Sequence, residues 1–251
     1  MTRPWIAAPL LLAFATIGGM VHAEETRVTI RARAVDAKFI GDQMGGVQIT
    51  LTDVQSGTVL AKGLTKGGTG DTDRIMRKPA ERWTALADAK TAGFEAVLDL
   101  QRPTQVRADA FGPVGKPASA IQVTSTMWLL PGHHVTGDGW VLAFPGLVIE
   151  PAPVPTAAGL KLSAKISLMC GCILEPGGLW DANGYQVEAS LLRDGQPASR
   201  AALAYAGEPS LFAATLPRVP AGTYTLRIVA ADARTANAGV IEQIVQIPAR
   251  P

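Results

Sequence analysis

The chain has 251 residues, 47% of them hydrophobic and 18% charged, with 23 Lys and Arg against 21 Asp and Glu. Near-neutral charge, with no basic stripe interleaved with aromatics, excludes the surface that nucleic-acid binders use. Two cysteines make at most one bridge, which excludes a disulfide-built scaffold, and the apolar content is enough for a core without one.

The first predicted element is a leader. Arg3, the apolar run "IAAPLLLAFATIGGMV" and the small-residue end before Glu24 follow the order of a secretory signal, with cleavage after Ala23. The run is shorter than the roughly 20 apolar residues of a membrane helix, and no later stretch reaches that length. No cysteine follows the cleavage position to carry a lipid anchor. The mature chain is therefore expected to be periplasmic or secreted, without an integral membrane segment, in a setting where disulfides persist.

Beyond the leader the hydrophobic period is two. "RVTIRARA" (27–34) alternates Val28, Ile30, Ala32 and Ala34 with polar neighbours; "VQITLTD" (47–53) and "TYTLRIVA" (223–230) repeat the pattern. Such alternation predicts strands with one face buried and one wet. Gly and Pro clusters interrupt the chain too often for long helices, leaving only "KPAERWTALADAK" (78–90) as a short one. The predicted fold is all-β: two tandem antiparallel β-sandwich domains, immunoglobulin-like, after the signal peptide.

An internal echo sets the boundaries. The strand–Gly turn–strand layout of 47–63 recurs at 185–203, and 94–110 is matched by 212–230, with Phe94 answering Phe212 and Leu98 answering Leu216. This predicts a first sandwich over 24–149, a Pro-rich linker "EPAPVPTAAG" over 150–159, and a second sandwich over 160–251. Gly57 lies 37 residues before Phe94, whereas Gly195 lies 17 before Phe212, so the first half carries about 20 extra residues within 64–90. A loop of that length in a sandwich is usually functional, and its Arg, Trp and Met content suits a segment that docks a partner; the alternative is a cap over its own sandwich. "KGGTGDTDR" lacks the Gly-Lys-Ser/Thr ending of a phosphate loop, and Asp71 and Asp73 lack the downstream Glu of a calcium loop.

"GDQMGGVQITLTDVQSGTVLAKGLTKGG" (41–68) resembles the opening of bacterial transthyretin-like, or carboxypeptidase-regulatory-like, modules. "GTYTLRIVAADARTANAG" (222–239) looks like the closing hairpin of bacterial immunoglobulin-like domains. Cys172 upstream of "YQVEASLLRDGQ" and "LFAATLP" is similar to small periplasmic domains of the YtkA type, some linked to copper handling. These resemblances imply a sandwich with a binding or adaptor role and fix no ligand residue.

Both cysteines lie in "LMCGCILEPGGLW" (168–180). In a regular strand Cys170 and Cys172 share a face with Cα atoms about 7 Å apart, the limit for a bridge, and Gly171 permits the bend that would close one. Three readings stay open: a bent structural disulfide, a redox pair, or two thiolates that hold copper(I) with Met169. His133 and His134, in "LLPGHHVTGDGW", are the only histidines after Ala23, and complete the copper site if the domains bring both pairs together. No Gly-x-Ser-x-Gly or His-Glu-x-x-His motif occurs, so catalysis is not indicated. The expected function is a periplasmic accessory protein of an envelope system. It binds copper through Met169, Cys170 and Cys172, or acts as a thiol-disulfide oxidoreductase, or serves as an adaptor for an envelope protein partner.

Overall fold

A computed structural model describes residues 24–78 and 81–249, and the proposed leader lies outside them. In chain order the strands are β1 (Glu24–Ala34), β2 (Gln48–Asp53), β3 (Val59–Leu64), β4 (Phe94–Leu100), β5 (Thr104–Gly112), β6 (Ile121–Leu129), β7 (Val135–Phe144), β8 (Leu147–Thr156), β9 (Gly159–Leu168), β10 (Tyr185–Arg193), β11 (Gln196–Ala202), β12 (Ala204–Tyr205), β13 (Leu211–Pro217), β14 (Gly222–Asp232) and β15 (Ala238–Ile247). The protein is all-β, and its strands pair into four sheets ordered β4-β1-β7, β3-β2-β5-β6, β12-β13-β9-β8 and β11-β10-β14-β15. Pairing is antiparallel apart from β1 with β7, which run parallel.

The repeat in the sequence is a repeat of topology. Hairpin β2–β3 and hairpin β10–β11 occupy matching places, each turning at a glycine with positive φ, Gly57 (+73°) and Gly195 (+77°). Each is then flanked by a later hairpin, β5–β6 or β14–β15. Opposite lie β4 beside β1 and β13 beside β9, so Phe94 and Phe212 open equivalent strands. The alternating positions predicted to face inward do so: Val28, Ile30, Ile49, Leu51, Tyr224 and Leu226 are all buried. Tyr224 also donates its hydroxyl to Pro220 O at 2.8 Å, a corner arrangement recurrent in Greek-key sandwiches. One continuous buried cluster includes residues of both halves, so the halves meet through packed side chains.

Two expectations from the sequence are corrected. Residues 150–159 form no linker, because Glu150–Thr156 belong to β8 and pair with β9 in register. Pro151, Pro153 and Pro155 recur with the strand period. Ile149 N–H points away from β9 to Ser119 Oγ at 3.0 Å, and in a strand every second residue shares that direction. The three prolines therefore stand where an N–H would face the free edge, the position at which a sheet tolerates them. The chain changes sheets instead at Pro145–Gly146. Nor do residues 81–90 form a helix: Thr84 N–H closes a turn on Glu81 O, and Trp83 adopts φ +72°. The amides of Leu86 and Ala87, which a helix would use internally, are taken by the Asp138 carboxylate at 3.0 and 2.6 Å.

Candidate functional site

Two places carry the residues singled out in the sequence. The first is the surplus segment. Its base is closed by reciprocal bonds between Lys66 and Gly93, both 3.0 Å, and by Ala92 N–H to Gly68 O at 2.8 Å. Within it, a π-helical turn over Asp73–Arg77 is held by Arg74 N–H on Asp71 Oδ1 and by an Arg77–Asp73 ion pair, and it buries Ile75. Ile75, Phe39 and Ala87 make a small core separate from the main one.

The segment is fastened to the sheet beneath by charge. Arg31, on β1, is 7% exposed and donates to the carbonyls of Thr91, Ala92 and Gly137. Burial lowers its pKa from the ordinary arginine value, and the nearby carboxylates of Asp138, Glu95 and Asp88 oppose that shift. Asp88 in turn is held below the usual carboxylate range by the Thr91 hydroxyl and the Lys90 amide. Anchored on both sides, the segment presents Trp83 at 88% exposure, with the Arg82 guanidinium 4.8 Å from the ring centroid.

The second place is the junction between the halves, where both cysteines lie. Cys170 and Cys172 are bonded to each other with Cα atoms 5.4 Å apart, and Gly171 supplies the bend at φ +75°. Their exposures are 0% and 7%, so both residues are buried, Cys172 the less deeply. The structure does not bring the histidines to them. His133 and His134 lie exposed in the β6–β7 turn, where His134 Nδ1 accepts from Arg27 N–H at 3.2 Å. The cysteine turn meets the opposite end of β1, beyond Ala34, roughly 20 Å along the strand at its normal rise. Met169 is also turned away, with its methyl against Gly146. The thioether packed on this turn belongs to Met44: a Cβ added to Gly171 would stand 2.7 Å from its sulfur. No sequence signal pointed to Met44. Among the described residues no group of three or more His, Cys, Asp and Glu is placed to hold a metal ion.

Several bonds cross this junction. Gln43 Nε2 donates to Cys170 O at 3.1 Å, and Trp180 Nε1 to Asp36 O at 2.8 Å. Asn237 takes Gly146 N–H on its oxygen and gives its amide to Val35 O, both at 2.9 Å.

No family model matches the chain, and no curated protein matches it. Among solved structures it is similar to a DUF3823 family protein from Bacteroides uniformis ATCC 8492, determined by crystallography at 1.90 Å. The identity is 13%, over 88% of this chain and 99% of that one, with a TM-score of 0.31. So slight a likeness bears on neither site.

Proposed function

We propose that this chain is a non-catalytic accessory protein of the cell envelope that docks a protein partner through the anchored segment 64–90. The observation that supports it is Trp83. Trp and Arg are the side chains most enriched among the anchors of protein interfaces. Here one of each is stacked together at the tip of a loop that Arg31 and Asp138 hold in place. The signal-like residues before Glu24 support a location in the periplasm or outside the cell.

The test is a photo-crosslinking residue at position 83 in cells. A single envelope partner should be captured, and Trp83→Ala should weaken its co-purification at least about tenfold, the scale of an interface anchor. Undiminished co-purification by Trp83→Ala would rule this function out.

A second reading concerns the reduced protein. Once the Cys170–Cys172 bond is opened, two thiols share one turn, with the Met44 thioether packed on the glycine between them, soft donors suited to copper(I) or to dithiol exchange. Copper(I) titration of the reduced protein distinguishes it: equal uptake by Cys170→Ser/Cys172→Ser excludes a sulfur site.

A further inference from the structure

We propose that the Cys170–Cys172 bond regulates the docking segment, so that opening it by thiol–disulfide exchange loosens residues 36–46 and, through them, the loop that carries Trp83. Its biological meaning rests on the docking function above. The coupling itself is a property of the free chain.

Residues 36–46 lie between the two places. On one side they receive the cysteine turn: Gln43 holds Cys170 O, Met44 packs its sulfur on Gly171, and Asp36 O accepts the Trp180 indole N–H. On the other side they carry the base of the docking segment. Asp42 N–H donates to Gly67 O at 2.9 Å, Gly67 N–H returns to Asp42 Oδ2 at 3.1 Å, and Phe39 N–H donates to Thr69 O at 3.2 Å. The Phe39 ring completes the small core with Ile75 and Ala87. Between the sulfurs and the loop there is thus an unbroken chain of hydrogen bonds and packed side chains. Coupling of this kind needs an element with two discrete states, and the disulfide is one.

With the bond closed, Cys170 and Cys172 are held covalently across one glycine, and the Cys170 carbonyl is aimed at Gln43. With it open, the turn is closed by two backbone bonds, Gly171 N–H to Leu168 O (2.8 Å) and Leu168 N–H to Cys172 O (3.2 Å), above the Ser167–Ile173 bridge. Both involve a glycine-centred bend that the free chain has many ways to leave. The reductant is a dithiol. One of its thiolates attacks Sγ of Cys172, which belongs to the less buried of the two residues, and Cys170 departs as a thiolate that takes up a proton. The second thiol of the reductant then displaces Cys172, leaving two cysteine thiols and one oxidised dithiol.

Amide hydrogen exchange of the full chain, oxidised and after dithiothreitol, measures the coupling, with alkylation confirming two thiols in the reduced sample. Amides of Gly67, Leu86 and Ala87 should exchange about tenfold faster on reduction, as expected for local opening, while those of Ile49 and Leu51 in β2 stay unchanged. Unchanged exchange over 64–93 in fully reduced protein overturns the proposal. So does a bond that native protein keeps under excess dithiothreitol, or an acceleration spread evenly over every strand. Gln43→Ala, which leaves the bond intact, should by itself speed exchange at Gly67 and shrink the difference between the redox states; no such effect counts against the coupling. No partner is present in these measurements. If Trp83→Ala fails to weaken partner capture, the docking function falls and the coupling stands.

Discussion

Arg31 and Gly137 are joined through two donors of one guanidinium, Nε at 3.3 Å and Nη2 at 3.2 Å, to a single carbonyl. The same side chain serves Thr91 and Ala92, so β1, β7 and the end of the docking segment share one buried cation. Arg31→Met keeps much of the length and removes every donor, leaving three carbonyls without their partner. We expect a loss of about 2–4 kcal/mol in urea unfolding. Faster cleavage within 64–93 by a protease should accompany it. Full stability in the variant would show that the guanidinium adds nothing to the hold on the segment.

Trp83 and Asp138 should separate presentation from anchoring. Trp83→Ala removes an exposed ring and should alter stability by less than about 0.5 kcal/mol. Asp138→Ala leaves the amides of Leu86 and Ala87 without an acceptor and should cost about 1–3 kcal/mol. The readout is a pair of thermal melts. Asp88 adds a pH signature: its depressed carboxylate pKa means that its contribution is present above about pH 4 and is lost as pH falls below it. Exchange of the 86–93 amides should therefore accelerate on acidification through that range.

Proline at 151, 153 and 155 leaves the free edge of β8 without donors at those positions. Replacing Pro151 and Pro153 by alanine restores two outward N–H groups on an exposed strand, the template that edge-to-edge association needs. Sedimentation velocity should show the variant dimerising or forming larger species at concentrations where the parent stays monodisperse. A variant with unchanged sedimentation would mean that this edge is screened by its neighbours instead.

Tyr185 carries a buried hydroxyl with no hydrogen-bond partner among the described residues. Burial, with the Asp232 carboxylate beside it, pushes its pKa from 10 up to about 12. The folded chain thus keeps a proton that the unfolded chain releases near pH 10. Stability from this group is complete below pH 10 and falls as pH rises toward 12, by roughly 2–3 kcal/mol in all. Tyr185→Phe should abolish that alkaline loss and raise stability at neutral pH by about 1 kcal/mol, because an unpaired buried hydroxyl is removed. Denaturant midpoints across the pH range test both parts.

The all-β fold was legible because alternation is written locally: Val28, Ile30, Ala32 and Ala34 announce a strand from four positions, although Thr29 and Arg31 on its other face are buried as well. Repetition of topology was legible for the same reason, through Phe94 with Phe212 and Leu98 with Leu216. The prolines of β8 misled because composition marks them as linker, whereas their spacing of two residues was the strand signal. For the cysteines, Gly171 announced the bend that closes the bridge. Nothing near them in sequence announced Met44 or Gln43, since that contact spans 127 residues. Arg31 and Asp138 were hidden likewise, because each acts on backbone atoms far along the chain whose identity leaves no trace in side-chain patterns. The helix expected over 78–90 is absent from residues 81–90, where the distant Asp138 carboxylate takes the amides of Leu86 and Ala87.

Asn237 lies 202 residues beyond Val35 along the chain, yet its one carboxamide bonds both Val35 and Gly146. A single side chain in the β14–β15 turn thus stitches the exit of β1 to the place where the chain changes sheets, so one residue serves as a clasp for three remote stretches of backbone.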